Sequence, residues 1–173
     1  MPYDAANAIT VRRARTGDVR AVRRLVDPYV GEGILLDKAT VTLYEAIQEF
    51  WVAERDEDAQ VVGCGALHVM WEDLAEVRTL AVDRAFKGYG IGHQVLDKLL
   101  QTARWLGVRK VFCLTFEVDF FSKHGFVEIG ETPVDGDVYS ELLRSYDEGV
   151  AEFLGLERVK PNTLGNSRML LHL

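Results

Sequence analysis

Cysteine is scarce in this chain, with two in 173 residues. Cys64 and Cys113 each sit inside an apolar run, VVGCGAL and VFCLTF, and read as free core thiols. They form neither a CxxC pair nor a disulfide framework. No stretch approaches the roughly 18 to 20 consecutive apolar residues of a membrane span. The N-terminus also lacks the basic and then apolar segments of a signal peptide. The expectation is therefore a cytoplasmic protein that engages no membrane. His68 lies in an apolar strand with no second histidine or cysteine at ligand spacing, so no metal site is expected and the residue reads as a satisfied core histidine. Positive charge is in the minority, 20 Lys and Arg against 27 Asp and Glu, for a net charge of −7. That balance argues against a general nucleic-acid binder. Repeats, low-complexity tracts and linkers are all missing. What is present, 48% hydrophobic and 27% charged residues, suits one globular domain over residues 1–173, with about the first eight residues loose.

Hydrophobic spacing orders the elements. AITVRRA (8–14) reads as a strand, and 16–30 as a helix with Val19, Val22, Val26 and Tyr29 on one face. A loop, GEGILLDK, leads to a second helix over 40–50. Strands at 50–54 and 60–71 flank the polar turn RDEDA as a hairpin, and 75–82 is a further strand. A glycine loop then opens a helix over 91–106 that Gly107 ends. Residues 110–117 form a buried strand, 118–124 a short helix and 126–134 a strand. One or two helices lie between 137 and 154, and SRMLLHL closes the chain as a strand. The 75–117 unit predicts a right-handed parallel crossover beside an antiparallel hairpin. The fold class is thus α/β, a mixed central sheet flanked by helices.

The glycine loop, KGYGIG at 87–92, follows a strand and enters a helix. Unpaired amides and the positive end of the helix dipole make such a turn an anion site. The P-loop pattern fails, because His93-Gln94 stand where Gly-Lys is needed. The strict GxGxxG fingerprint fails too, with His93 or Val95 at the third glycine. Glu117, at the end of the next strand, keeps only a weak dinucleotide reading.

The third pattern, [RQ]-x-x-G-x-[GA], fits with Lys87 in the first position. The segment TLAVDRAFKGYGIGHQVLDKLL resembles the hallmark of the GNAT N-acetyltransferases, and FFSKHGF (120–126) resembles their second landmark. This resemblance implies acetyl-CoA as co-substrate. Backbone amides of Lys87, Gly88, Tyr89, Gly90, Ile91, Gly92 and His93 would hold its pyrophosphate. The main chain of Leu80, Ala81 and Val82 would bind the pantetheine arm, and the Leu80 amide would stabilise an oxyanion. The tyrosine that many of these enzymes use as an acid is replaced by Phe120-Phe121.

Within that family, GILLDK, AEVRTLAV, VFCLTF and NSRMLLHL are similar to segments of N-acetylglutamate synthases, from about residue 9 to the end. The resemblance implies a short form without the amino-acid-kinase-like domain of the longer enzymes. It further implies acetyl transfer to the α-amine of glutamate in arginine biosynthesis. Glu76 matches the glutamate expected to act as base. Lys38 stands where those enzymes place a substrate-binding arginine, and Ser167 matches a substrate-contacting serine. Arg78 lies two residues beyond Glu76, on the same face unless a bulge intervenes. The family arginine before Ser167 aligns with Gly165, so it is missing. Arg168 points to the opposite face from Ser167, while Lys160 and Asn166 are substitutes in the preceding loop. One cation fewer keeps glutamine open as the acceptor. Two other readings also stay open, a GNAT enzyme for another amine or protein N-terminus and a non-catalytic acetyl-CoA sensor. A homodimer is an expectation, with the extra segment around 137–158 as its interface.

Overall fold

A computed structural model describes residues 8–131, 134–155 and 166–173. Its centre is a seven-stranded sheet in the order β1-β2-β3-β4-β5-β7-β6. The strands are β1 (Ile9–Arg13), β2 (Phe50–Arg55), β3 (Val61–Trp71), β4 (Leu74–Val82), β5 (Lys110–Thr115), β6 (Val127–Glu128) and β7 (Ser167–His172). The helices are α1 (Val19–Gly31), α2 (Thr40–Glu45), α3 (Ile91–Leu106), α4 (Val118–Ser122), α5 (Gly136–Leu142) and α6 (Glu148–Phe153). β4 and β5 pair in parallel through the α3 crossover, and every other pairing is antiparallel. The expected mixed sheet is therefore observed.

Period-two alternation sends the strands' apolar residues to two faces. One face packs on α3, whose Ile91, Val95, Leu96, Leu99, Leu100 and Ala103 recur at helical spacing and are buried. The opposite face carries two separate clusters. α1 and α2 cover one around Phe50, Val52 and Cys64, and α5 and α6 cover the other around Leu74, Phe112 and Leu170. Polar residues of β3 and β4 lie between these clusters. The segment expected at an interface thus packs on its own sheet through Leu142, Val150, Phe153 and Leu154.

Two elements are shorter than their sequence pattern suggests. α2 stops at Glu45, and a tight turn over Ile47–Glu49 follows that buries Ile47. β6 has two paired residues rather than nine, consistent with Gly130 interrupting the run at a sheet edge, and residues 132–133 of the expected strand lie outside the described residues.

Candidate active site

β4 carries most of the site. It pairs with β5 only over Leu74–Glu76, against Lys110–Phe112. Past Glu76 the two strands part, which leaves one edge of β4 without a strand partner. Against β3 the register slips, since Cys64 faces Ala81 and Ala66 faces Arg78. Thr79 and Leu80 therefore share a place opposite Gly65, forming a bulge. Thr79 takes φ +56, a left-handed conformation that a β-branched residue rarely adopts. The Cys64 thiol donates to the Thr79 carbonyl at 3.4 Å. Burial pushes that thiol up to about 12, which keeps it protonated as a donor.

The gap between β4 and β5 opens into a cavity of about 570 Å³. Of the residues expected to hold a cofactor, Leu80, Ala81, Val82, Lys87, Gly88, Gly90, Ile91, Gly92 and His93 line it. Tyr89 does not line it, and its side chain is exposed. Gly88 and Gly90 have φ +88 and +77, and a Cβ at either would meet nothing. Positive φ fits the choice of glycine there, and the space beside the loop is open. The first turn of α3 lies at that end of the cavity, and amides without an intrahelical partner there suit an anion. Tyr29 donates its hydroxyl to the Val82 carbonyl at 2.7 Å. Its ring carries Arg84 and Lys87 at 5.1 and 5.3 Å, which adds positive charge beside the loop. Phe120 stacks on His93 at 4.5 Å, and His93 shares a 2.7 Å hydrogen bond with His124. Burial lowers the His124 pKa; the His93 charge acts in the same direction and Asp97 against it.

Glu76, the last β4 residue paired with β5, is 5% exposed. Its Oε1 accepts from Arg78 Nε at 2.8 Å, so the two side chains share a face and the bulge lies beyond them. Its Oε2 is buried and has no hydrogen-bond partner among the described residues. A buried carboxylate oxygen without a protein partner is costly and rare. Arg78 gives its two terminal nitrogens to Asp147 at 2.9 and 2.8 Å. Asp147 caps α6 by accepting from the Val150 amide at 3.0 Å. His68, opposite Glu76 in β3, bonds Glu49 at 2.6 Å and lies 3.8 Å from Asp147. It is therefore a partly exposed member of the polar cluster rather than a core histidine.

Lys38 lies in the loop between α1 and α2. Arg23 holds that loop by donating to the Lys38 carbonyl and to Asp37. Burial lowers the pKa of the Lys38 ammonium, with Arg78 acting in the same sense against Glu76, Asp147 and Glu49. Lys38 thus shares a field with the Glu76 cluster despite its distance in sequence. Ser167 pairs with Thr115, and Arg168 with Leu114, on opposite faces as alternation requires. Ser167 lies on the α3 face with Cys113 and Met169. Arg168 instead donates to the Glu152 carbonyl at 3.1 Å, and Asn166 to the Glu152 carboxylate at 3.2 Å. Lys160 and Gly165 fall outside the described residues.

Asp147 and Glu49 belong to the site, and sequence reading passed over both. The available signal was Gly149, a glycine inside a helix. A Cβ there would overlap the Arg78 guanidinium. Gly149→Ala is expected to displace Arg78 from Asp147 and cost about 1–3 kcal/mol by overpacking, read as a lower Tm. An unchanged Tm would contradict this packing.

Among the described residues, no group of three His, Cys, Asp or Glu side chains is placed to hold a metal ion. No described helix is long and apolar enough to cross a membrane. Residues 46–128 match the family described as acetyltransferase (GNAT) domain. The chain is 64% identical over 162 residues to an amino-acid acetyltransferase of Mycobacterium tuberculosis, covering 93% of this chain and 92% of that one. A solved M. tuberculosis structure in complex with CoA and NLQ superposes with TM-score 0.91 at 63% identity, over 95% of this chain and 99% of that one. N-acetylglutamate synthase of Neisseria gonorrhoeae, complexed with coenzyme A and N-acetyl-glutamate, shares the fold at TM-score 0.75 and 23% identity. There the match spans 96% of this chain and 35% of the synthase.

Proposed function

The chain belongs to the GNAT acetyltransferases, and from that premise we propose that it acetylates the α-amine of a free amino acid, L-glutamate or L-glutamine, for arginine biosynthesis. Its M. tuberculosis relative is named an amino-acid acetyltransferase, and that name supports the choice of acceptor class. The observation that carries the reading is the buried Oε2 of Glu76, without a hydrogen-bond partner among the described residues, on the last paired residue before the gap between β4 and β5.

The glycine loop and the parted strands fit acetyl-CoA. The loop is open where a Cβ would otherwise stand, and the cavity runs from the first turn of α3 along the free edge of β4. Acetyl-CoA supplies the activated acetyl group. Residues Lys87 to His93 would hold its pyrophosphate through their amides, and Leu80 to Val82 its pantetheine arm. The Tyr29 hydroxyl already occupies one acceptor site of the Val82 carbonyl, which leaves the second lone pair for the cofactor. The bulge at Thr79 and Leu80 presents the Leu80 amide as a donor to the carbonyl oxygen of the transferred group.

The acceptor arrives mostly as an ammonium and must lose a proton before it attacks. Glu76 accepts that proton at Oε2, directly or through one water, while Arg78 holds Oε1 and fixes the carboxylate. Lys38 binds a substrate carboxylate. Arg168 and Asn166 are engaged by Glu152, and Ser167 lies on the α3 face, so Lys38 carries the contact to the acceptor. Attack leaves a second proton on the acceptor nitrogen, and because Phe120 and Phe121 carry no ionisable group, that proton passes through water to the leaving thiolate.

The product tests this reading. Incubation with acetyl-CoA and glutamate or glutamine is expected to add one acetyl group to the α-nitrogen, read by mass spectrometry and NMR. Acetylation of neither amino acid would contradict it.

A further inference from the structure

We infer that Asp147 sets the preference between an acceptor whose side chain ends in a carboxylate and one whose side chain ends in a carboxamide, because it occupies the guanidinium fork of Arg78. The inference rests on the amino-acid reading above and assigns a specificity residue to it.

An arginine fork is the usual bidentate partner of a substrate carboxylate. Here the fork is already taken. Arg78 has a side chain 8% exposed, and its three bonds go to Glu76 and, twice, to Asp147. Asp147 is in turn fixed from its own side. Its carboxylate accepts from the Val150 amide at 3.0 Å, and its own amide donates to Ser145 Oγ at 3.1 Å. At Gly149 the chain has no side chain where a Cβ would overlap the guanidinium. The start of α6 is thus shaped to bring this carboxylate onto Arg78.

Charge supports the same direction. The cluster holds the carboxylates Glu49, Glu76 and Asp147 against Lys38 and Arg78, with His68 between Glu49 and Asp147. The α-carboxylate of an amino acid matches Lys38, and the α-ammonium matches the orphaned oxygen of Glu76. A second carboxylate would meet Asp147 and Glu49 with the Arg78 fork occupied. A carboxamide adds no charge and brings two N–H donors that a carboxylate oxygen accepts. Arg168, the other guanidinium considered for a substrate carboxylate, donates instead to the Glu152 carbonyl.

The test compares kcat/KM for glutamate and glutamine in the wild type and in Asp147→Asn. Asparagine keeps the size and the helix cap but removes the charge. The glutamate-to-glutamine ratio is expected to rise on the order of tenfold or more, as repulsion is relieved and the fork becomes available. The KM for acetyl-CoA should stay unchanged. Asp147→Ser also keeps a capping side chain, and it serves if the asparagine variant folds poorly. Calorimetric affinities for N-acetylglutamate and N-acetylglutamine should shift in the same sense. An unchanged ratio in folded variants that still turn over would overturn the role of Asp147. No turnover of either amino acid by the wild type would overturn the reading on which it rests.

Discussion

Replacing Glu76 with glutamine is expected to cut kcat by on the order of 10² to 10⁴-fold at neutral pH, the usual contribution of a positioned general base. The change is nearly isosteric. The carboxamide oxygen of the Glu76→Gln variant can still accept from Arg78 Nε, so the bond that fixes the side chain at 2.8 Å survives. What is lost is a charged, buried oxygen with no partner among the described residues. Without it, the acceptor must reach the site already deprotonated. The free amine grows with pH, so the variant should recover part of its rate as pH rises, while the wild type keeps its activity into the neutral range. Acetyl-CoA affinity should change little, because the glycine loop and the free edge of β4 beyond Glu76 are untouched. A pH–rate profile of the same shape in both proteins would remove Glu76 as the base.

Lys38→Met is expected to raise the KM for the amino acid roughly ten- to hundredfold, the range for a hydrogen bond to a charged group. The KM for acetyl-CoA should move far less. Methionine keeps much of the stem's apolar contact, so the experiment isolates the charge. The wild-type pH dependence follows from the direction of the Lys38 shift. Burial lowers its pKa, and Arg78 adds to the effect. The charged form binds a carboxylate, so the acceptor KM should rise on the alkaline side, starting below the ordinary lysine range. Losing that alkaline rise in the methionine variant would assign it to Lys38. Equal effects on both substrates would count against the residue's role in binding the acceptor.

The path of the chain around the cofactor was legible because local rules write it. Gly88 and Gly90 are needed at positive φ, α3 shows a helical stripe, and Gly107 ends it at φ +87. Glu76 and Arg78 could be placed on one face because strands alternate with period two. The same rule separated Ser167 from Arg168. The bulge was not legible, since nothing in TLAV announces that Thr79 will take φ +56. A bulge is set by the partner strand and by packing around Gly65, where a Cβ would come within 2.9 Å of Leu80 and Val95. Asp147 was hidden for a related reason. It lies 69 residues from Arg78 in sequence, and only the closure of α5 and α6 over the sheet brings the two together. His68 misled because its neighbours in β3 are apolar, although Leu67 is buried and Val69 is exposed. Its own side chain sits between the two apolar clusters, where Glu49 meets it.

The resemblance to N-acetylglutamate synthases rested on short stretches around Lys38, Glu76 and Ser167. The structure places Lys38 in the field of Glu76 and Asp147, yet it leaves Ser167 on the α3 face beside Thr115. The first arrangement supports an acceptor site between the two apolar clusters. The second sets Ser167 on the opposite face of the sheet from the Glu76 cluster.

The central claim is that this site acetylates the α-amine of glutamate or glutamine. Steady-state coenzyme A release, measured across free amino acids, a polyamine and a peptide with a free N-terminus, tests it most directly. The account predicts the highest kcat/KM for glutamine or glutamate and little turnover of the polyamine. Highest turnover with the polyamine or the peptide, or none with any amine despite tight acetyl-CoA binding, would contradict it.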